Sequence, residues 1–263
     1  SCPMPRHLHT TPPGPLARRL GAAALTVGLL AGAGVGGPAA PAAAQAILNV
    51  ERLQPGDVQG WHSGVEGAFS VSRGNTEYLD VLAGVVVGHR WPDDWLRVFA
   101  GLDYRSETGE GLERDRYLHV RFNHWLADRW QSFHFAQYQS SARNLLQRRL
   151  LVGSGLRTRL IDGATTLDVG TGAMIETEAL DADRVVGTHP VDSRVWRMAN
   201  LVVAVRQLTE SVRLVGVGYI QPDFSAFEDV RTLTDLSVLI ALTENVDLTV
   251  RGAWRHDSRP PTD

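Results

Sequence analysis

From residue 60 onward the chain repeats segments of about ten residues in which apolar and polar side chains alternate, the pattern of a strand whose two faces meet different surroundings. In residues 245–256, Val246, Leu248, Val250, Gly252 and Trp254 fall on one face, and Asp247, Thr249, Arg251, Ala253 and Arg255 on the other. Leu79, Val81, Ala83, Val85 and Val87 likewise oppose Asp80, Gly84 and Gly88. Leu96, Val98, Ala100, Leu102 and Tyr104 oppose Arg97, Asp103 and Arg105. The pattern returns with Leu150, Val152, Leu156 and Leu160 against Arg157 and Arg159, and with Leu236, Val238, Ile240 and Leu242 against Asp235 and Ser237. Turn residues punctuate these segments at Arg73-Gly74-Asn75 and Pro92-Asp93-Asp94, among others. The connections alternate in length. Ala127-Asp128-Arg129, Asp162-Gly163, Thr209-Glu210 and Glu244-Asn245 are tight, whereas those around 107–115, 140–147, 180–193 and 222–229 are long. About eleven strands are legible, with short turns on one rim and long loops on the other, the construction of bacterial outer-membrane barrels.

Alternation alone fits a soluble sheet as well as a membrane one, so the composition of the polar face carries the argument further. It holds Arg97, Asp103, Arg105, Arg121, Arg157, Arg159, Asp168, Glu176, Arg206, Asp235, Asp247, Arg251 and Arg255, a set of mixed sign suited to pairing across a wet lumen. Trp61, Trp91, Trp95, Tyr104, Trp125, Trp130, Tyr138, Trp196, Tyr219 and Trp254 fall near strand ends, where interfacial girdles lie. Closed strands also satisfy their backbone groups without water. The expected fold is all-β: an antiparallel transmembrane β-barrel of about 12 strands, with the last strand missing from this chain. A soluble periplasmic β-sandwich with solvated charges is the competing architecture.

Arg18 and Arg19 precede an apolar run over residues 20–37, which Pro38, Pro41 and the small residues Ala42 to Ala46 follow. That order reads as a secretory signal peptide over residues 1–46, cleaved near Ala44 to Ala46. Residues 47–59 form a short periplasmic lead and 60–263 the barrel domain. A membrane anchor competes for the apolar run. The net charge of -3 gives no long-range attraction for nucleic acid. Cys2 is the only cysteine, so the mature chain forms no disulfide and no thiolate metal site.

No catalytic, cofactor or metal site is expected, and the chain reads as no enzyme. His256, Asp257 and Ser258 are contiguous and point to alternate faces; Ser132 and His134 share a face but lack a recognisable acid. His119 and His124 fall on opposite faces and cannot jointly hold a metal. Glu176 and Glu178 approach a loop continuing through Asp181 and Asp183, readable as a weak Ca²⁺ site or as a solvated loop. Gly153-x-Gly155 and Gly170-x-Gly172 lie inside strands with no following helix, which suits wall curvature or close packing better than phosphate binding. Arg148, Arg149, Arg157 and Arg159 either line an anion path or pair with Asp168 and other lumen acids.

Five pieces in order resemble one family. Gly60-Trp61 opens a strand reaching Ser72-Arg73-Gly74-Asn75-Thr76; Arg148 to Leu156 (Arg-Arg-Leu-Leu-Val-Gly-Ser-Gly-Leu) forms a central strand. Tyr219-Ile220-Gln221-Pro222-Asp223 ends another, and Asp257-Ser258-Arg259-Pro260-Pro261 follows near the end. Together they resemble the salt-induced outer membrane proteins, built on domain of unknown function 481, over residues 60–263. The resemblance implies a location in the cell outer membrane and a final strand after the Pro-Pro segment. It implies outer-membrane lipid and the outer-membrane insertion machinery as partners. As roles it implies a small-solute channel or a component of the osmotic envelope-stress response. A lipid-modifying barrel enzyme stays open as an alternative, as does the oligomeric state.

Overall fold

The computed structural model describes residues 27–28, 59–72, 78–107, 113–142, 144–185, 190–243 and 247–259. Apart from Val27 and Gly28, the leader over 1–46 lies outside the described residues. So do the lead over 47–58, the turn at 73–76, the loop at 108–111, Glu244-Asn245 and the Pro-Pro segment.

All described elements are strands. Those of the sheet are β2 (Gly60–Ser72), β3 (Tyr78–Arg90), β4 (Asp94–Glu107), β5 (Glu113–Ala127), β6 (Trp130–Ser141), β7 (Leu146–Ile161), β8 (Thr165–Leu180), β9 (Asp192–Met198), β10 (Asn200–Gln207), β11 (Val212–Pro222), β12 (Val230–Ala241) and β13 (Asp247–Asp257); a two-residue strand β1 (Val27–Gly28) pairs parallel with β13. From β2 to β13 every pairing is antiparallel and follows chain order in one sheet, so a two-sheet sandwich is not formed. β9 and β10 share one rung beside β8, interrupted at Ala199, whose amide donates to the Gly172 carbonyl at 2.9 Å. Counting that rung once, eleven strand positions stand side by side, as the alternation implied. Among the described residues β2 and β13 do not pair with each other. No described helix is long and apolar enough to cross a membrane, which says nothing of strands.

The sheet curls into a half-barrel. Arg231 on β12 meets Glu176 on β8 at 2.7 Å, although the β9/β10 rung and β11 lie between them. On a flat sheet those strands stand about 14 Å apart, so the two side chains meet by crossing a concavity.

The two faces are inverted relative to a soluble protein. On the concave side Arg97, Arg121, Arg149, Glu176, Arg231 and Asp235 are at most 6 % exposed. On the convex side Val152 is 57 % exposed, Leu156 46 %, Leu236 52 % and Trp254 62 %. Soluble folds rarely expose a contiguous apolar surface of this kind, because water penalises it.

The concave wall is packed closely where glycines admit rings from the next strand. A Cβ on Gly155 would lie 2.5 Å from the Phe133 ring and 2.3 Å from the Thr171 carbonyl, and one on Gly153 would lie 2.4 Å from Phe135. The glycines singled out in sequence therefore serve close packing, with each ring laid over a glycine of the facing strand. Gly155→Val is expected to cost on the order of 1–3 kcal/mol through overpacking. Gly216→Ala, whose nearest neighbour would be 3.8 Å away, is expected to stay within about 0.5 kcal/mol of wild type. Urea titration followed by circular dichroism separates the two.

Candidate functional site

The concave face is the candidate site, since it holds buried charge in place of an apolar core. Strand parity puts Arg97, Asp103 and Arg105 of β4, Arg121 of β5, and Arg157 and Arg159 of β7 on it. Asp168 and Glu176 of β8, Asp235 of β12, and Arg251 and Arg255 of β13 join them. Asp247 stands opposite Ala241 in register; its side chain lies outside what is described.

Arg206 is the correction. Val203 pairs with Asp168 and Leu201 with Gly170, which turns Leu201, Val203 and Val205 inward and Arg206 outward with Val202 and Ala204. β10 is apolar on both faces at Leu201-Val202-Val203-Ala204-Val205, so alternation there has no polar side to reveal. Its inward residues join Val217, Tyr219 and Leu233 in a small apolar cluster. The aromatic girdle needs a similar correction: Trp95 and Tyr219 are 7 % and 8 % exposed on the concave side. Trp125 also faces inward, with the Arg90 guanidinium 4.0 Å from its ring.

Most of the buried charges form two sets of ion pairs. Near the long-loop rim, Arg231 donates to Glu176 at 2.7 Å and to Asp257 at 2.9 Å, while Arg149 donates to Glu178 at 2.7 Å. Arg197 grips Asp229 through two bonds of 3.0 and 3.1 Å and also donates to the Gln221 carbonyl. The loop between β11 and β12 is thereby pinned against the concave wall. In that loop Asp223 is held below the ordinary carboxylate range. Its burial opposes the shift, but hydrogen bonds from the Ser225 hydroxyl and amide, with Arg197 nearby, outweigh it. Near the tight-turn rim Arg157 and Arg159 share Asp168, at 2.5 and 2.9 Å, and Arg251 pairs with Asp235. Between β4 and β6, Arg97 donates to Asn123 at 3.0 Å and Asn123 to Gln131 at 2.9 Å; Arg97 also packs 3.8 Å from the Trp95 ring centre.

Arg149, Arg157 and Arg159 thus pair with acids rather than lining an anion path, and Arg148 faces the convex side. Glu176 and Glu178 are engaged by arginines of the concave wall rather than by a Ca²⁺ loop with Asp181 and Asp183. Among the described residues no group of three metal-ligating side chains gathers. His119, inside, meets Gln137 at 3.0 Å, whereas His124, outside, meets Asp94 at 2.8 Å. Ser132 and His134 share the convex face, and there His134 Nδ1 meets not Ser132 but Ser154 Oγ on β7, at 2.9 Å.

A family model described as a protein of unknown function, DUF481, matches residues 65–263. The chain belongs to the DUF481 family. Comparison with curated proteins and with solved structures returns no match. In this DUF481 chain the matched region covers nearly all of the sheet, including both charged sets.

Several members of the long-rim set stand outside the lumen-facing charges expected from the sequence: Glu178, Arg197, Asp229, Arg231 and Asp257. Three of them extend a parity already visible, Glu178 from Glu176, Arg231 from Asp235 and Asp257 from Arg255. Arg197 follows from an outward Trp196. Asp229 belongs to a loop and carries no periodic signal.

Proposed function

We infer that this protein is an integral β-barrel of a bacterial outer membrane, with lipid against the convex face. We further infer that its interior is closed by ion pairs at the long-loop end, so that it is not a wide solute channel. The inverted burial carries this reading, because exposed Val152, Leu156, Leu236 and Trp254 are costly in water and favourable in hydrocarbon. Export through the leader and folding by the outer-membrane insertion machinery belong to the same reading. So does a role in the envelope's response to osmotic stress, without enzymatic activity.

Tryptophan quenching by lipids brominated along the acyl chain tests the lipid-facing assignment. Single-tryptophan variants of the full chain retaining Trp196 or Trp254, 57 % and 62 % exposed, are expected to be strongly quenched. A variant retaining Trp95, 7 % exposed, is expected to be quenched weakly. Uniformly weak quenching would remove the lipid face.

The Ser154–His134 contact favours a second reading, an ester hydrolase acting on membrane lipid. Serine needs a base within hydrogen-bond reach, and one is present. The base in turn needs an orienting group; the ring's other described neighbour is Phe122, 6.2 Å away between ring centres. The pair is more simply two polar groups satisfying each other on an apolar face. The purified protein is therefore expected to release no fatty acid from phospholipid vesicles. Release that disappears in both Ser154→Ala and His134→Ala would replace the non-enzymatic reading.

A further inference from the structure

All 26 basic residues of the chain are arginines. On the concave face Arg97, Arg149, Arg157, Arg159, Arg197, Arg231 and Arg251 are engaged by the contacts described above. Four others behave differently. Arg114 and Arg116 on β5, Arg148 on β7 and Arg194 on β9 are exposed, and strand parity turns them to the convex face. None of the four guanidinium groups is held by an ion pair or hydrogen bond among the described residues.

Their placement is systematic. Arg116 precedes Leu118 by two positions, Arg148 precedes Leu150 and Arg194 precedes Trp196, so each arginine shares a face with a large apolar side chain that is 44–57 % exposed. Each of the three strands starts at the long-loop rim, so the arginine is always on the rim side and the apolar residue on the side toward mid-strand. The apolar surface of β5 to β9 therefore ends in arginines on one side. Acids stand on both rims, Asp93, Asp94, Asp128, Asp162 and Glu210 beside Arg129 and Arg206 at the tight turns, and Glu107, Asp181, Asp183, Asp192 and Glu228 at the long loops.

We propose that Arg116, Arg148 and Arg194 bind the phosphate groups of anionic membrane lipids in the leaflet that meets the long-loop rim. The inference rests on the lipid-facing assignment of the convex face. Arginine suits this task because its planar fork donates two parallel hydrogen bonds to phosphate oxygens, while its aliphatic stem lies along apolar surface. A shallow cleft of about 410 Å³ beside Arg148 offers one head group a seat, lined by Tyr138, Gln147, Arg148, Ala179, Leu180 and Asp192.

Native mass spectrometry of the detergent-folded full chain, offered equal amounts of phosphatidylglycerol and phosphatidylcholine, reads the preference directly. The wild type is expected to retain phosphatidylglycerol roughly a hundredfold over phosphatidylcholine, from about 1 kcal/mol for each of the three arginines. Arg148→Gln is expected to reduce that ratio by roughly fivefold, from about 1 kcal/mol per arginine near a charged surface. Arg116→Gln/Arg148→Gln/Arg194→Gln together are expected to abolish it, and Arg129→Gln/Arg206→Gln on the other rim to leave it intact. An unchanged ratio in the triple variant, or an equal loss in the opposite-rim variant, overturns the proposal while leaving a heat-modifiable, lipid-embedded barrel standing. A wild type that never becomes heat-modifiable in lipid overturns the membrane reading, and this proposal with it.

Discussion

Arg231→Ala is expected to destabilise the folded barrel by about 3–5 kcal/mol, the cost of leaving buried carboxylates without their partner. Arg231 is the member of the long-rim set that touches both Glu176 and Asp257, and it reaches Glu178 at 3.5 Å. Removing it strands two carboxylates that are 1 % and 7 % exposed, Glu176 and Asp257. Glu176 keeps Arg149 and Arg197 only at 3.9 and 3.7 Å. The same loss opens the concavity, because this contact ties β12 to β8. Planar-bilayer recordings are therefore expected to show little current through the wild type and larger, noisier openings through Arg231→Ala. Urea midpoints followed by circular dichroism give the stability change. A double-mutant cycle with Glu176→Gln is expected to show strong coupling, since the second change removes the stranded charge. Additive effects and an unchanged current would mean that the pair neither holds the curl nor closes the interior.

Val152→Arg is expected to cost about 2–4 kcal/mol and to lower the yield of folded protein in the membrane, the penalty for arginine on the lipid face near the bilayer centre. Val152 sits mid-strand on β7, 57 % exposed, between Ala136 and Ile175 in register. In water the same substitution would replace an exposed valine by a solvated cation and stay within about 0.5 kcal/mol. One residue thus gives opposite answers for opposite solvents. Near-normal stability for Val152→Arg would contradict the lipid-facing assignment.

Much of this architecture was legible because a strand repeats every two residues. β4 displays it fully: Leu96, Val98, Ala100 and Leu102 lie outside, and Arg97, Asp103 and Arg105 inside. The rule fails where a strand is apolar on both sides. Nothing within β10 distinguishes Arg206 from an inward residue, and its face is settled only by Val203 standing opposite Asp168. It fails again for Trp95, Trp125 and Tyr219, because an aromatic near a strand end suits an interfacial girdle and a packed interior equally well. Contacts across the concavity, such as Arg231 with Glu176, depend on curl, which no single strand encodes. The His134–Ser154 pair depends on the register between β6 and β7, so the sequence pointed to Ser132 instead.

Cells expressing the chain, separated on a density gradient and analysed on SDS gels with and without heating, test the central claim most directly. Recovery with the outer membrane after a high-salt wash, with a band whose mobility changes on heating, is the result this account predicts. Release by osmotic shock without detergent, with a band that heating leaves unmoved, would contradict it and return the protein to the soluble periplasm.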